Sequence, residues 1–215
     1  MKKAETDKEI HRIFRSYVYY VECTFNGYAL ADDAYKFFMI KAMGKRKKLA
    51  FYELYGFVVM DDMVRMLLGI DESDAGAALA VLHDTLEIWQ TLQMPEGKMR
   101  PMPEILSEHL LPVGSRGEAA ELLCYMHLSP VNRDCCRSGY DWWWSSYSTY
   151  RGRYNWEMVN TAPILQYLSP AGGEKARAKF NELHRSAERH GNPEPDCLKA
   201  ADPKKPEKPG KPEAI

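Results

Sequence analysis

Apolar residues recur along most of this 215-residue chain at spacings of three and four, which is the pattern of an α-helix with one buried face. The first such stretch begins at Thr6 and Glu9, a capping-box pair whose side chains satisfy backbone donors at a helix start. The residues that follow on one face are Ile10, Ile13, Phe14, Tyr17, Val18 and Val21. Asn26-Gly27 predicts the end of this helix.

The same spacing, together with capping residues and prolines, predicts six more helical segments. They cover residues 30–43, 49–70 with a bend near Gly56, 73–93, 103–111, 115–128 and 170–190. A glycine inside a helix costs about 1 kcal/mol relative to alanine, which is why the bend is placed at Gly56. The expected fold is therefore mainly α, a single compact helical domain with an aromatic-rich C-terminal half.

A change in composition near residue 191 predicts where this domain ends. Residues 192–215 hold six of the thirteen prolines, with lysines and acidic residues in balance. Such a segment buries too little apolar surface to offset the entropy of ordering it. We predict a helical domain over residues 1–191 and a disordered Pro/Lys-rich tail over 192–215.

The charge of the chain is nearly balanced, with 29 basic and 30 acidic residues and a net charge of −1. No global field therefore draws the protein to nucleic acid or to an anionic membrane. No run of 18 apolar residues occurs, so membrane insertion is not expected. Five unevenly spread cysteines suit a reducing compartment, and the sequence predicts a cytoplasmic protein.

Short motifs that would reveal a catalytic or cofactor site do not occur. The chain contains no glycine-rich phosphate loop, no G-x-S-x-G, no H-E-x-x-H and no C-x-x-C. We therefore predict no cofactor and no enzyme, although a catalytic set assembled from distant residues would leave no such motif.

One arrangement of cysteine and histidine could hold a metal ion. Cys124 and His127 are three residues apart on a predicted helix, and Cys135-Cys136 follow in the next loop. Adjacent cysteines fit one tetrahedral site poorly, and free cysteines are commonly buried. The sequence favours packing over metal binding, and we predict no metal.

The segment DWWWSSYSTYRGRYNW at 141–156, with Tyr140 before it, contains most of the candidate binding residues. On a helix, its aromatic residues would form one stripe with two arginines beside it. The candidates are Trp143, Tyr147, Tyr150, Arg151, Arg153 and Tyr154. Three interpretations remain open: the stripe fills the core, binds a protein, or stacks the bases of single-stranded nucleic acid.

A second candidate surface is the basic run Lys45, Arg46, Lys47 and Lys48. It either complements the dipole of a helix end or contacts phosphates. Because the chain is nearly neutral, we predict an intracellular bacterial protein-interaction module that modulates or inhibits a larger machine. A plasmid- or phage-encoded accessory factor that interferes with conjugation or a host system is one example. The alternative is a nucleic-acid-binding protein that uses Lys45–Lys48 and the aromatic segment 140–156.

Overall fold

An antiparallel sheet of four strands lies at the centre of the protein, in a computed structural model that describes residues 17–49, 52–71, 75–92 and 103–200. The strands are β1 (Tyr17–Phe25), β2 (Tyr52–Val59), β3 (Met63–Ile70) and β4 (Ile105–Val113), in the spatial order β2-β3-β1-β4. The fold is therefore mixed α/β, and the prediction of a mainly α domain is wrong.

Helices cover the sheet and are the main regular elements of the described residues after β4. Those in the described residues are α1 (Asp33–Leu49), α2 (Ala75–Leu92), α3 (Arg116–Asn132), α4 (Tyr147–Tyr150), α5 (Ala162–Leu168), α6 (Gly173–Arg189) and α7 (Asp196–Ala200). The helices predicted near 30–43, 73–93, 115–128 and 170–190 correspond to α1, α2, α3 and α6. Ser115 caps the start of α3, since its Oγ accepts a hydrogen bond from the Glu118 backbone nitrogen at 3.1 Å.

The first predicted helix is wrong where the structure describes it. Residues 17–25 form β1, and the rest of the predicted helix lies outside the described residues. The stretch YVYYVECTF is rich in Val and Tyr, which favour strands. Helices pack on both faces of the sheet, so most of β1 is buried on both sides and shows no alternation of polar and apolar residues.

The predicted bent helix at 49–70 is instead the hairpin of β2 and β3, which turns at Asp61 and Asp62. Gly56 marks a close approach rather than a helix bend. A Cβ at this position would collide with the side chain of Leu123 on α3. The glycine thus lets α3 pack directly on β2.

The short helix predicted at 103–111 is also wrong, because Ile105–Val113 form β4 at the edge of the sheet. Pro112 lies inside this strand. A proline is tolerated on an edge strand because its missing N–H can face away from the ladder.

The chain continues past Gly191 as a folded segment. Asn192 is buried, and Cys197 and Leu198 of α7 pack against the core. Residues 201–215 lie outside the described residues, and the division into a domain over 1–191 and a tail over 192–215 stays a prediction. Within the described chain, no helix has the length and apolar character needed to cross a bilayer.

Candidate nucleic-acid interface

A buried polar network lies between α3 and the face of the sheet that α3 covers. Its members, which we call the sheet-face cluster, are Tyr20, Glu22, Arg65, Tyr125 and Ser129. Arg65 Nε donates to Glu22 Oε2 at 2.7 Å, and the Tyr20 hydroxyl donates to the same oxygen at 2.6 Å. A second guanidinium nitrogen of Arg65 donates to Ser129 Oγ. The cluster thus fixes a positive charge inside the protein with carboxylate and hydroxyl partners.

The charge of Arg65 persists in this buried setting. Burial opposes the charged form, but the Glu22 carboxylate beside the guanidinium outweighs it, so the pKa of Arg65 is raised. Burial also raises the pKa of Tyr20 well above its ordinary value, which keeps that hydroxyl a hydrogen-bond donor.

Tyr125 is the half-exposed member of the cluster, and its ring centroid lies 4.9 Å from Arg65 Cζ. On the sheet, Glu22 is paired in register with Arg65 on one side and with His109 of β4 on the other. His109 is exposed, so this part of the face is open to solvent. The Tyr125 ring therefore lies beside a fixed cation, and a cation of this kind can stabilise the charge of a phosphate.

The sequence analysis did not find this cluster. One signal was available: Arg65 is the single charged residue in the apolar stretch MVRMLLGI. A charge in a buried strand requires a partner, but the partner lies 43 positions away at Glu22. Only the strand pairing brings the two together.

The aromatic segment does not form one helical stripe. Helix α4 spans Tyr147–Tyr150 and ends before Gly152, which has a φ of +71°. Tyr147 and Tyr150 are buried, stacked on His184 and Phe180 at centroid distances of 4.6 and 4.7 Å. These two predicted binding residues therefore belong to the core.

The other four predicted residues lie at the surface, where Tyr140 joins them. We call Tyr140, Trp143, Arg151, Arg153 and Tyr154 the aromatic–arginine surface. The guanidinium carbons of Arg151 and Arg153 lie 4.8 and 4.3 Å from the centroid of the Tyr140 ring. Trp143, which is 53% exposed, contacts Tyr154 at a centroid distance of 5.0 Å. Exposed aromatic rings held beside arginines form a surface on which flat, anionic ligands can stack.

The basic run lies at the C-terminal end of α1, and the structure divides it into two pairs. Arg46 binds Asp84 at 2.5 Å, and Lys47 binds Glu53 at 3.0 Å, so both are partly neutralised. Lys45 and Lys48 are exposed. Lys47 Nζ also donates to the Met158 carbonyl at 2.9 Å, which places this helix end next to the chain that follows the aromatic segment 140–156.

The structure does not bring the four residues Cys124, His127, Cys135 and Cys136 together at one site. Cys124 and His127 are both buried, whereas Cys135 is exposed. His127 uses both ring nitrogens, with Nδ1 3.1 Å from His184 Nε2 and Nε2 2.7 Å from Ser146 Oγ. Among the residues that the structure describes, no group of three His, Cys, Asp or Glu side chains could hold a metal ion.

The fold and the sites define the chain as an α/β protein with an antiparallel sheet, an accessible tyrosine near a buried arginine, and a separate aromatic–arginine surface. A comparison with protein-family models finds no match, and neither does a comparison with curated proteins. Among solved structures, the chain is similar to a REP-associated tyrosine transposase bound to a REP hairpin. The TM-score is 0.51 at 13% sequence identity, over 66% of this chain and 84% of that chain.

This likeness concerns the fold, and it contradicts two predictions. The similar structure is an enzyme, whereas the sequence analysis predicted none, and it is bound to a hairpin rather than inhibiting a larger machine. The prediction of a regulatory protein-interaction module is therefore overturned, and nothing in the comparison favours a protein partner. The alternative, a nucleic-acid-binding protein, agrees with the likeness.

Proposed function

We propose that this protein binds DNA that is folded into a hairpin, through the aromatic–arginine surface and the exposed lysines at the end of α1. The observation that carries the proposal is the contact between Lys47 and the Met158 carbonyl, which places the end of α1 against the chain four residues beyond Tyr154, although Lys47 and Met158 are 111 residues apart in sequence. The fold likeness to a hairpin-bound transposase supports it.

The chemistry of the two surfaces is complementary to a hairpin. Its stem presents closely spaced phosphates, which Lys45, Lys48 and Arg153 can contact. Its loop presents unpaired bases, which can stack on exposed rings such as Trp143 and Tyr154. A nearly neutral chain can bind in this way when its basic side chains are gathered locally.

Fluorescence anisotropy with a labelled DNA hairpin tests the proposal. Replacing Lys45 and Lys48 with Gln should weaken binding and reduce the slope of log Kd against log salt by about 2, because each lysine that contacts a phosphate contributes about one unit. Trp143→Ala should weaken hairpin binding by about tenfold and leave binding to a blunt duplex unchanged, since stacking is worth roughly 1–3 kcal/mol per base.

Two exposed residues outside these surfaces serve as matched controls. Arg185 lies on α6, and Tyr28, 77% exposed, follows β1. Arg185→Gln and Tyr28→Ala should retain full affinity. If the wild-type protein fails to bind any hairpin, or if the controls and the surface variants lose affinity equally, the proposal is wrong.

The sheet-face cluster supports a second candidate function, the cleavage and transfer of a DNA strand by Tyr125. The hydroxyl oxygen would bond to a backbone phosphorus and displace one strand end as a free hydroxyl, leaving a phosphotyrosine link. Arg65, with its ring contact to Tyr125, places a fixed positive charge near the phosphate that would form.

Trapping of a covalent adduct tests this second function. A labelled single-stranded hairpin substrate should give a denaturant-resistant protein–DNA band that disappears in Tyr125→Phe, which lacks the nucleophilic oxygen. Tyr28→Phe is the control and should keep the band. If Tyr125→Phe binds the hairpin normally and the wild-type protein forms no adduct with any substrate strand, strand transfer at Tyr125 is excluded and hairpin binding stands alone.

A further inference from the structure

A polar pocket of about 400 Å³ opens beside the aromatic–arginine surface. It lies between the segment that follows α4 and the first turns of α6. The side chains that matter here are Thr149, Arg153, Tyr154, Asn155, Thr161 and Arg177. Its volume lies in the range that holds a small ligand, roughly 300–1,000 Å³.

Two arginines from different elements line this one pocket. Arg153 comes from the turn after α4, and Arg177 comes from α6. The described lining contains no carboxylate, so the two cations face a space that a negative charge would stabilise. Threonine hydroxyls and the Asn155 amide add neutral hydrogen-bond donors.

Gly152 leaves room for one of these arginines, Arg177. With its φ of +71°, it makes the left-handed turn that ends the segment. A Cβ on this residue would lie 3.2 Å from Arg177 Nε and 3.3 Å from its Cζ, so the missing side chain lets the guanidinium come close to the turn. A planar guanidinium can bind two oxygens of a phosphate at once.

One aromatic side chain, Tyr154, lines the pocket. Tyr154 contacts Trp143 and Trp156 at centroid distances of 5.0 and 4.6 Å, and we call these three rings the aromatic rim. An anion alone would not need this rim. A ligand that joins a phosphate to a flat ring would use both the arginines and the aromatic side chains.

We propose that this pocket binds the phosphate of a single nucleotide between Arg153 and Arg177, with the base against Tyr154. The nucleotide is either free in solution or an unpaired nucleotide of a bound DNA strand, since both present the same chemistry. The inference does not depend on hairpin binding, because a free mononucleotide would satisfy the site.

Titration of tryptophan fluorescence separates these sources, with Trp156 of the aromatic rim as a reporter. The probes are thymidine 5′-monophosphate, thymidine, inorganic phosphate, a short oligothymidine and the DNA hairpin. The monophosphate or the oligothymidine should bind, and thymidine should bind at least about tenfold more weakly, because it lacks the charge-assisted hydrogen bonds.

Variants at Arg177 decide the assignment, because this residue lies outside the surface proposed for hairpin binding. Arg177→Gln should weaken the binding of the nucleotide probe by about tenfold or more. Arg177→Lys should keep part of the affinity, because lysine retains the charge but lacks the planar guanidinium. Arg185→Gln, on the exposed part of the same helix, should change nothing. Thermal melting confirms that each variant is folded.

Each outcome then has one meaning. Loss of monophosphate binding with hairpin affinity retained assigns the pocket to a free nucleotide. Loss of oligothymidine or hairpin affinity, without monophosphate binding by the wild type, assigns it to a nucleotide of the DNA. If the wild-type protein binds no hairpin but binds the monophosphate through Arg177, the proposed function fails and this inference stands. If Arg177→Gln changes the affinity for none of the probes, the pocket is not a nucleotide site.

Discussion

Acidification should destabilise this protein through two buried histidines, His127 and His184. Both are fully buried and form part of a directional hydrogen-bond chain. The Phe180 carbonyl can only accept, so His184 Nδ1 donates to it at 3.0 Å, and His184 Nε2 is left to accept from His127 Nδ1. His127 Nε2 then accepts from the Ser146 hydroxyl at 2.7 Å. In this arrangement both rings are neutral, the form that their burial favours.

The sign of the effect follows from the pKa values. Burial lowers the pKa of His184 from 6.5 to about 3, and burial, with a smaller effect of the neighbouring His184, lowers that of His127 well below its ordinary value. The unfolded chain therefore binds more protons than the folded one as the pH falls from 6.5 towards 3. The stability is fully present above pH 6.5 and is lost progressively below it.

The magnitude can be estimated at pH 5. At pH 5, the pH lies about 1.5 units below the pKa of an unfolded histidine. Each histidine that stays neutral in the folded state therefore lowers the free energy of unfolding by about 2 kcal/mol at this pH. Two such residues give about 4 kcal/mol, a large fraction of the 5–15 kcal/mol that is typical of a domain.

Urea unfolding at about pH 7.5 and pH 5 measures this loss in the wild-type protein and in His184→Gln. Glutamine offers one donor and one acceptor but does not titrate, so the variant should lose about 2 kcal/mol less between the two pH values, whatever its stability at pH 7.5. The exposed His190 provides the control, and His190→Gln should behave as the wild type. If wild type and His184→Gln lose equal stability, the neutral buried pair does not cause the acid sensitivity.

Three further outcomes are expected. Tyr150→Ala should lower the free energy of unfolding by about 3–5 kcal/mol because its ring is fully buried, whereas Trp143→Ala at the surface should change it by less than about 1 kcal/mol; equal losses in urea unfolding would contradict the assignment of core and surface. Arg65→Met should cost about 3–5 kcal/mol because it leaves a buried carboxylate without its cation, and an unchanged thermal midpoint would show that the pair is dispensable. A thiol reagent should modify Cys135 in the native protein well before Cys124, whose burial raises its pKa to about 12; mass spectrometry of partly labelled protein gives the order, and faster labelling of Cys124 would contradict its burial.

Several features of the fold could be predicted from the sequence because they depend on neighbours in the chain. The helices α2, α3 and α6 have an apolar face or a cap that lies within one element, as at Ser115. The strands could not be distinguished in this way. In β2 and β3 almost every residue is buried, so the alternation that marks a half-exposed strand is absent, and a run of apolar residues fits a helix equally well.

The candidate sites also combine features that follow from local sequence with features that depend on contacts between distant parts of the chain. The sequence alone determined that the segment 140–156 is rich in aromatic residues and arginines, and that Lys45–Lys48 form a basic run. Only the tertiary structure decided that Tyr150 fills the core while Trp143 and Tyr154 reach the surface, because burial depends on what packs against a residue from distant parts of the chain. The pairing of Arg65 with Glu22, and the presence of Arg153 and Arg177 in the lining of one pocket, likewise depend on how separate elements pack, which no local pattern of the sequence encodes.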